Sequence, residues 1–187
     1  MLFFPMKTPW FILICCMAMT AQGFGQRVGF RLSSPIWHEG GTVPMENVFN
    51  GSGCNGKNVS PALSWSGAPQ NTKSFAVTLF DSDAPTGHGF WHWMVFNLPA
   101  STTELAAGTG NRLPGGAIQA KNDWGTTGYG GPCPPSGSTH RYVLTVWALN
   151  VEHLQSQADT SPAKVAAELR THTLGTAQMT VRFGTGR

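Results

Sequence analysis

The segment Asp81-Ser82-Asp83-Ala84-Pro85-Thr86-Gly87-His88-Gly89-Phe90-Trp91-His92-Trp93 concentrates chemistry. It holds two of the chain's nine acidic residues and two of its six histidines, set among glycine, proline and large aromatics. A second segment, Gly130-Gly131-Pro132-Cys133-Pro134-Pro135-Ser136-Gly137-Ser138-Thr139-His140-Arg141-Tyr142, repeats the plan: a stiff Gly/Pro loop ends in a histidine where an apolar run begins. Carboxylates beside imidazoles share protons and recognise anions, because a carboxylate bonded to one ring nitrogen fixes the tautomer and favours the charged ring. The two loops are expected to meet at one end of a sheet and form a small anion pocket.

Within that pocket Asp81, at the end of an apolar run, is the carboxylate free to bond an imidazole. Asp83 points the other way and is expected to bond its own loop, the usual role of aspartate in a turn. His92 and His140 are the anion-facing imidazoles, and the backbone N–H groups of Gly130-Gly131 are candidate extra donors. Pro85, Pro134 and Pro135 fix φ, so ordering these loops around a ligand costs little entropy. His88, between two glycines, reads as a solvated loop tip, and His38, His153 and His172 read as surface residues. His92, His140, Asp81 and Cys133 could make a tetrahedral metal set, but no H-x-x-x-H or C-x-x-C spacing accompanies them. No metal or cofactor is therefore expected. A serine hydrolase is disfavoured too, since G-x-S-x-G is missing.

The elements that must position these residues read as strands. Ser74 to Phe80 delivers Asp81 to its end, and Trp91 to Asn97 follows, stopped by Leu98-Pro99. Strict alternation would put Phe90, His92, Met94 and Phe96 on one side and Trp91, Trp93 and Val95 on the other. Arg141 to Asn150 is the clearest strand, with His140, Tyr142, Leu144 and Val146 sharing a side. Shorter strands are expected at Val28 to Leu32, after the turn in Trp37 to Pro44, at Ala62 to Trp65, near Ala117 to Ala120 and at Thr180 to Phe183. Asn50 to Pro61 reads as a long irregular loop. Ser161-Pro162 opens a helix that Gly175 is expected to end. Many strands and one helix predict a mainly β fold: a two-sheet antiparallel sandwich with one or two short peripheral helices.

Composition sets the limits. The 187 residues suffice for one domain with a proper core, and 23 Gly and 13 Pro suit many turns. Residues 1–23, with Lys7 before the apolar run from Trp10 to Met19, read as an export signal cleaved somewhere in 23–26, in preference to an uncleaved anchor. Residues 27–187 then form the domain, in the periplasm or outside the cell. Cleavage removes Lys7, which lowers 12 basic residues to 11 against 9 acidic ones and the formal net charge from +3 to +2. No basic stripe is left to track a phosphate backbone, so nucleic acid is not an expected partner, and no membrane span remains. Cys54 and Cys133 are left as an even pair in an oxidising compartment, either bridged or as two buried thiols.

The motifs resemble those of the phosphatidylethanolamine-binding proteins, also called Raf kinase inhibitor-like proteins, in their bacterial branch. Asp81-Ser82-Asp83-Ala84-Pro85 is similar to the family's D-P-D-A-P motif, Trp91-His92-Trp93 leads into the strand as in the family, and Gly137 to Tyr142 is similar to its His-Arg-Tyr motif. The likeness runs from about Phe30 to Phe183. It implies a β-sandwich whose pocket takes phosphate-like groups, phospholipid head groups included, with Asp81, His92 and His140 as the polar triad. Pro85, Phe90, Pro134 and Tyr142 are its implied walls. It also implies a protein partner of the kind family members inhibit, a kinase or protease. Ser82 departs from the motif's proline, and the short C-terminus departs from eukaryotic relatives.

The expected function is thus that of an exported protein binding a small phosphate or carboxylate group, free or on a phosphorylated partner, without catalysis. The alternative is a hydrolase in which Asp81, His92 and His140 perform acid/base chemistry on a phosphoester or ester.

Overall fold

The computed structural model describes Met1, residues 29–110 and residues 112–186. Apart from Met1, the expected export signal and its cleavage region lie outside these residues, as does Val28. Among these described residues ten strands and one α-helix follow in chain order: β1 (Arg31–Ser33), β2 (Asn50–Gly51), β3 (Cys54–Asn55), β4 (Leu63–Ser66), β5 (Ser74–Asp81), β6 (Phe90–Pro99), β7 (Glu104–Leu105), β8 (Ile118–Gln119), β9 (Thr139–Leu149), α1 (Pro162–His172) and β10 (Thr173–Gly184).

The central sheet has the order β10-β9-β5-β6-β8 and the second sheet β1-β4-β7, all pairs antiparallel. Strict alternation along β5 sends Phe75, Val77 and Leu79 inward, where Tyr142, Leu144 and Val146 of β9 join them against Trp65 and Leu63 of the second sheet. Ala76 of β5 and Leu149 of β9 face outward and are covered by Val165, Ala166 and Leu169 of α1. The helix therefore lies on a face of the central sheet rather than at its edge or end. Covering both faces makes β5, β6 and β9 nearly continuous apolar runs.

Alternation fails at one place that matters. Along β6, Trp93 and Val95 point into the inner core while Met94 and Phe96 point to the outer one, yet His92 packs on inward-facing Tyr142. A register shift explains this: Leu79 is opposite Trp93 but the next residue, Phe80, is opposite Trp91. The bulge at His92 turns it and Trp93 to the same side, so the expected grouping of His92 with Met94 and Phe96 is corrected. Bulges re-aim side chains in this way next to sites.

Several boundaries also differ. β6 runs through Leu98 to Pro99, accommodated by Asn97 at φ 61° and a second register shift. α1 ends at His172, and Gly175 lies inside the long strand β10, at its register shift. Ser161 occupies the cap position with extended backbone, but its side chain makes no capping bond. No strand forms after the Gly40-Gly41 turn; a single bridge joins Thr42 to Arg182. The expected loop from Asn50 to Pro61 contains the β2–β3 hairpin. From that hairpin Cys54 meets Cys133, their Cα atoms 6.0 Å apart and 79 positions apart in sequence. Among the described residues no helix is long and apolar enough to cross a membrane.

Candidate functional site

At one end of the central sheet, strands β5, β6 and β9 deliver Asp81, His92 and His140 to one cavity of about 180 Å³. All three are buried, with relative exposures of 3%, 2% and 6%. Polar groups so placed must be bonded. The ring N–H at Nδ1 of His140 donates to Oδ2 of Asp81 at 2.7 Å. The Nδ1–H of His92 donates to the carbonyl oxygens of Gly130 and Gly131, at 2.7 and 3.1 Å. Because a carbonyl only accepts, the proton at this nitrogen is fixed. Each ring keeps Nε2 for the cavity.

Burial pushes the His92 pKa below its ordinary value of 6.5, against the opposing pull of the Gly130 carbonyl and the Asp81 charge. His92 therefore sits neutral in the free protein at neutral pH.

The two aspartates divide their work differently from expectation. Asp81 makes the local turn bond itself, its Oδ1 accepting from the N–H of Asp83 at 2.8 Å, while Oδ2 serves His140. Asp83 does not bond its own loop. It reaches β9 and accepts from the backbone N–H of Arg141 at 2.8 Å and from Nε and Nη2 of the same residue at 2.9 and 2.6 Å. The Arg141 guanidinium holds the Asp83 carboxyl at about 2, below the usual range. Asp81 at the end of β5 and Asp83 in the loop after it thus clamp consecutive residues of β9.

The Gly130-Gly131 turn acts through its carbonyls, not its amides. The N–H of Gly130 donates to the His92 carbonyl at 2.8 Å and that of Gly131 to Oδ1 of Asn58 at 2.7 Å, so neither is free for an anion. Glycine is required there because a Cβ at Gly131 would collide with the Asn47 carbonyl and one at Gly130 with the Trp124 ring. Asn58, at φ 53°, belongs to a loop whose turn formers gave no hint of this buttressing role.

Pro85, Phe90, Pro134 and Pro135 line the cavity, as do Ala84, Thr86 and Cys133. Tyr142 does not. It lies wholly buried behind the imidazoles, edge-on to His92 with ring centroids 5.2 Å apart, and burial raises its pKa well above 10. Its hydroxyl is beside Asp81 without a bond of good geometry among the described residues.

Trp124 is the wall that sequence reasoning missed. It stacks on Phe49 at 4.3 Å and packs edge-on against Phe90 at 4.9 Å and His92 at 6.0 Å. Asp123 pins it in place by bonding both backbone groups of Trp91. A lone tryptophan in a Gly/Thr/Asn-rich excursion was the available signal, since such a ring needs a surface to cover.

His38, His88 and His153 are exposed, and His172 is half-buried with its Nδ1 3.1 Å from Oδ1 of Asn150. Thr86, the cavity's hydroxyl, donates to the Gly89 carbonyl at 2.7 Å. The arrangement can bind through two Nε2 atoms inside apolar walls, with Asp81 holding the His140 ring in place.

Residues 33–184 match the family model for phosphatidylethanolamine-binding protein. The UPF0098 protein YbcL of Escherichia coli K12 is 45% identical over 160 residues, spanning 83% of this chain and 87% of that one. YbhB of the same organism is 46% identical over 156 residues, spanning 82% of this chain and 99% of its own. The crystal structure of E. coli YbcL, described as a member of the mammalian PEBP family, superposes with a TM-score of 0.81 over 83% of this chain and 98% of that chain. The carboxypeptidase Y inhibitor, solved with its cognate proteinase, shares the fold at 19% identity, with a TM-score of 0.52 over 83% of this chain and 82% of its own. With a family model spanning most of the described domain and relatives near half-identical along it, the chain belongs to the phosphatidylethanolamine-binding protein family.

Proposed function

We propose that this protein is an exported binder of small anionic groups, phosphate-like above all, and that Asp81, His92 and His140 form its recognition triad. The observation carrying this reading is that both imidazoles spend Nδ1 on the protein and keep Nε2 for one shared cavity. Charge-assisted bonds of this kind contribute about 1.5–3 kcal/mol each. Pro85, Phe90, Trp124 and Pro134 close the sides, so water competes poorly. Export to the periplasm or beyond is supported by the apolar run from Trp10 to Met19 and by the pairing of Cys54 with Cys133. An inhibited protein partner belongs to the same reading, on the model of the carboxypeptidase Y inhibitor that shares the fold. The hydrolase alternative has less to rest on: among the lining residues the hydroxyl is Thr86, already bonded, and the sulfur is Cys133, already paired.

Calorimetry with inorganic phosphate tests the reading. Binding is expected in the mature protein and is expected to be lost in His140→Ala with circular dichroism unchanged. Unaltered binding in that variant would reject the triad. Turnover of phosphoesters, lost in both Asp81→Asn and His92→Ala, would instead favour the hydrolase.

A further inference from the structure

The start of β6 and the segment after β8 line two cavities at once. Phe90, His92 and Trp124 face the triad's cavity, whereas their chain neighbours Trp91 and Asp123 line a separate groove of about 360 Å³, to which the triad contributes no residue. Trp91 packs there with the outer core under α1 and lies against Phe80, ring centroids 4.3 Å apart. Pro162 and Ala166 of α1 form a facing wall, and Arg170, one turn beyond Ala166 on the same side of the helix, lines the groove with them. The loop before β6 passes Phe80 so closely that a Cβ at Gly89, where φ is 77°, would collide with the ring, and this approach sets His88 at the groove's edge.

Two opposite charges line this groove without meeting. The ion pairs among the described residues are Asp81 with His140 and Asp83 with Arg141, so Arg170 and Asp123 pair neither with each other nor elsewhere among them. Asp123 commits Oδ2 to the N–H of Trp91 and leaves Oδ1 without a bond among the described residues. Concave apolar walls with a few fixed polar groups are the composition of a small-molecule site.

We propose that the groove is a second ligand site, for a zwitterion with an aromatic body, the chemical class of the free aromatic amino acids. The carboxylate takes the planar fork of Arg170, the ammonium meets Oδ1 of Asp123, and the ring packs on Trp91 and Phe80, as aromatic surfaces pair offset or edge-on. An aliphatic amino acid lacks the ring. An arylalkylamine lacks the group for Arg170, and an arylalkanoate lacks the group for Asp123.

Titration of the ¹⁵N-labelled mature protein with L-phenylalanine, L-leucine, phenethylamine and 3-phenylpropionate at about pH 7, where carboxylate and ammonium are both charged, tests this. The reporter is the indole N–H of Trp91, assigned by its loss in Trp91→Phe. L-phenylalanine is expected to shift that signal and to saturate below about 10 mM. It is expected to bind several-fold more tightly than each of the other three, since a ring contact and a partly exposed charge pair contribute similar amounts. Arg170→Gln, a change at an exposed position, is expected to weaken L-phenylalanine by the same factor and to leave phenethylamine unaltered. No saturable shift at Trp91, or shifts confined to the His92 and His140 rings, would overturn the proposal and leave the anion pocket standing. Equal binding of L-leucine would overturn the aromatic assignment. Equal binding of either singly charged compound, or undiminished L-phenylalanine binding in Arg170→Gln, would overturn the zwitterion.

Discussion

Asp81 and His140, 59 positions apart in the chain, meet at 2.7 Å inside the protein. The backbone ladder explains how: Asp81 lies opposite Tyr142 in the β5–β9 pairing, so its side chain reaches diagonally to the residue two places before its partner. Such diagonal neighbours on one face of a sheet are within side-chain reach. The triad's first contact is thus a consequence of strand register.

Asp81→Asn separates charge from shape at this contact. The amide oxygen can still accept from Nδ1 of His140, but the negative charge is gone and the N–H of Asp83 faces a group that cannot accept. Affinity for phosphate is expected to fall about tenfold or more and stability by about 1–3 kcal/mol. Calorimetry and denaturant unfolding read the two losses separately. Unchanged affinity would remove Asp81 from the binding role.

The buried neutral His92 makes stability depend on pH. Its folded pKa lies below the unfolded 6.5, so the unfolded chain binds the proton first as pH falls. The contribution is full above about 6.5, declines below it and levels off once pH passes the lowered folded value. His92→Gln is expected to flatten this part of the profile. Unfolding by urea between about pH 7.5 and 5, compared between the two proteins, checks it.

The fold's central features were legible because they rest on periodicity. Leu144 and Val146 alternate with partners on the other face, and the apolar run from Ser74 to Phe80 ends at a carboxylate, so β5, β9 and the site at their ends follow from local pattern. What was not legible depends on one residue set against a distant one. The bulge at His92 arises from how β6 pairs with β5, which no spacing within β6 reports. Asn58 matters because it bonds Gly131, 73 positions away, and Trp124 because Phe49 lies under it. Gly175 read as a helix stop because glycine commonly plays that part, but the long pairing of β10 with β9 absorbs it as a strand irregularity.

Asp83 and Arg141 form the solvent-facing half of the same clamp. The Asp83 pKa is lowered to about 2 by the guanidinium, so its stabilisation is present above the ordinary 3.8 and lost as pH falls through about 2. Solvent screens the pair, and Asp83→Asn is expected to cost only about 0.5–1 kcal/mol at neutral pH. The difference should vanish at strongly acid pH and shrink in high salt. Urea melts at about pH 7 and pH 2 provide the check, and a difference undiminished at the lower pH would contradict the pairing.

Cys54 and Cys133 close a long loop that joins the β2–β3 hairpin to the cavity wall. The chain-entropy relation gives about 4 kcal/mol for a bridge of this span. Reduction, or the double replacement Cys54→Ser with Cys133→Ser, is expected to lower the denaturant midpoint accordingly and to weaken phosphate binding by loosening the Cys133-Pro134-Pro135 wall. Thiol titration of unfolded, unreduced protein should find none at these two positions. Two free thiols there would remove the bridge from the protein.

Trp124 permits a test of the walls apart from the polar triad. Its ring closes the cavity between Phe90 and His92 but makes no polar contact with either imidazole among the described residues. An inorganic anion held by Asp81, His92 and His140 should be nearly indifferent to the ring, whereas the alkyl part of an ester should meet it. Trp124→Leu, which keeps apolar bulk over Phe49, is therefore expected to weaken methyl phosphate more than inorganic phosphate. The difference should be several-fold, because each buried methylene contributes about 0.8 kcal/mol. Equal loss for both ligands in calorimetry would mean that the ring acts by orienting His92, and equal retention would place the ester's carbons outside the cavity.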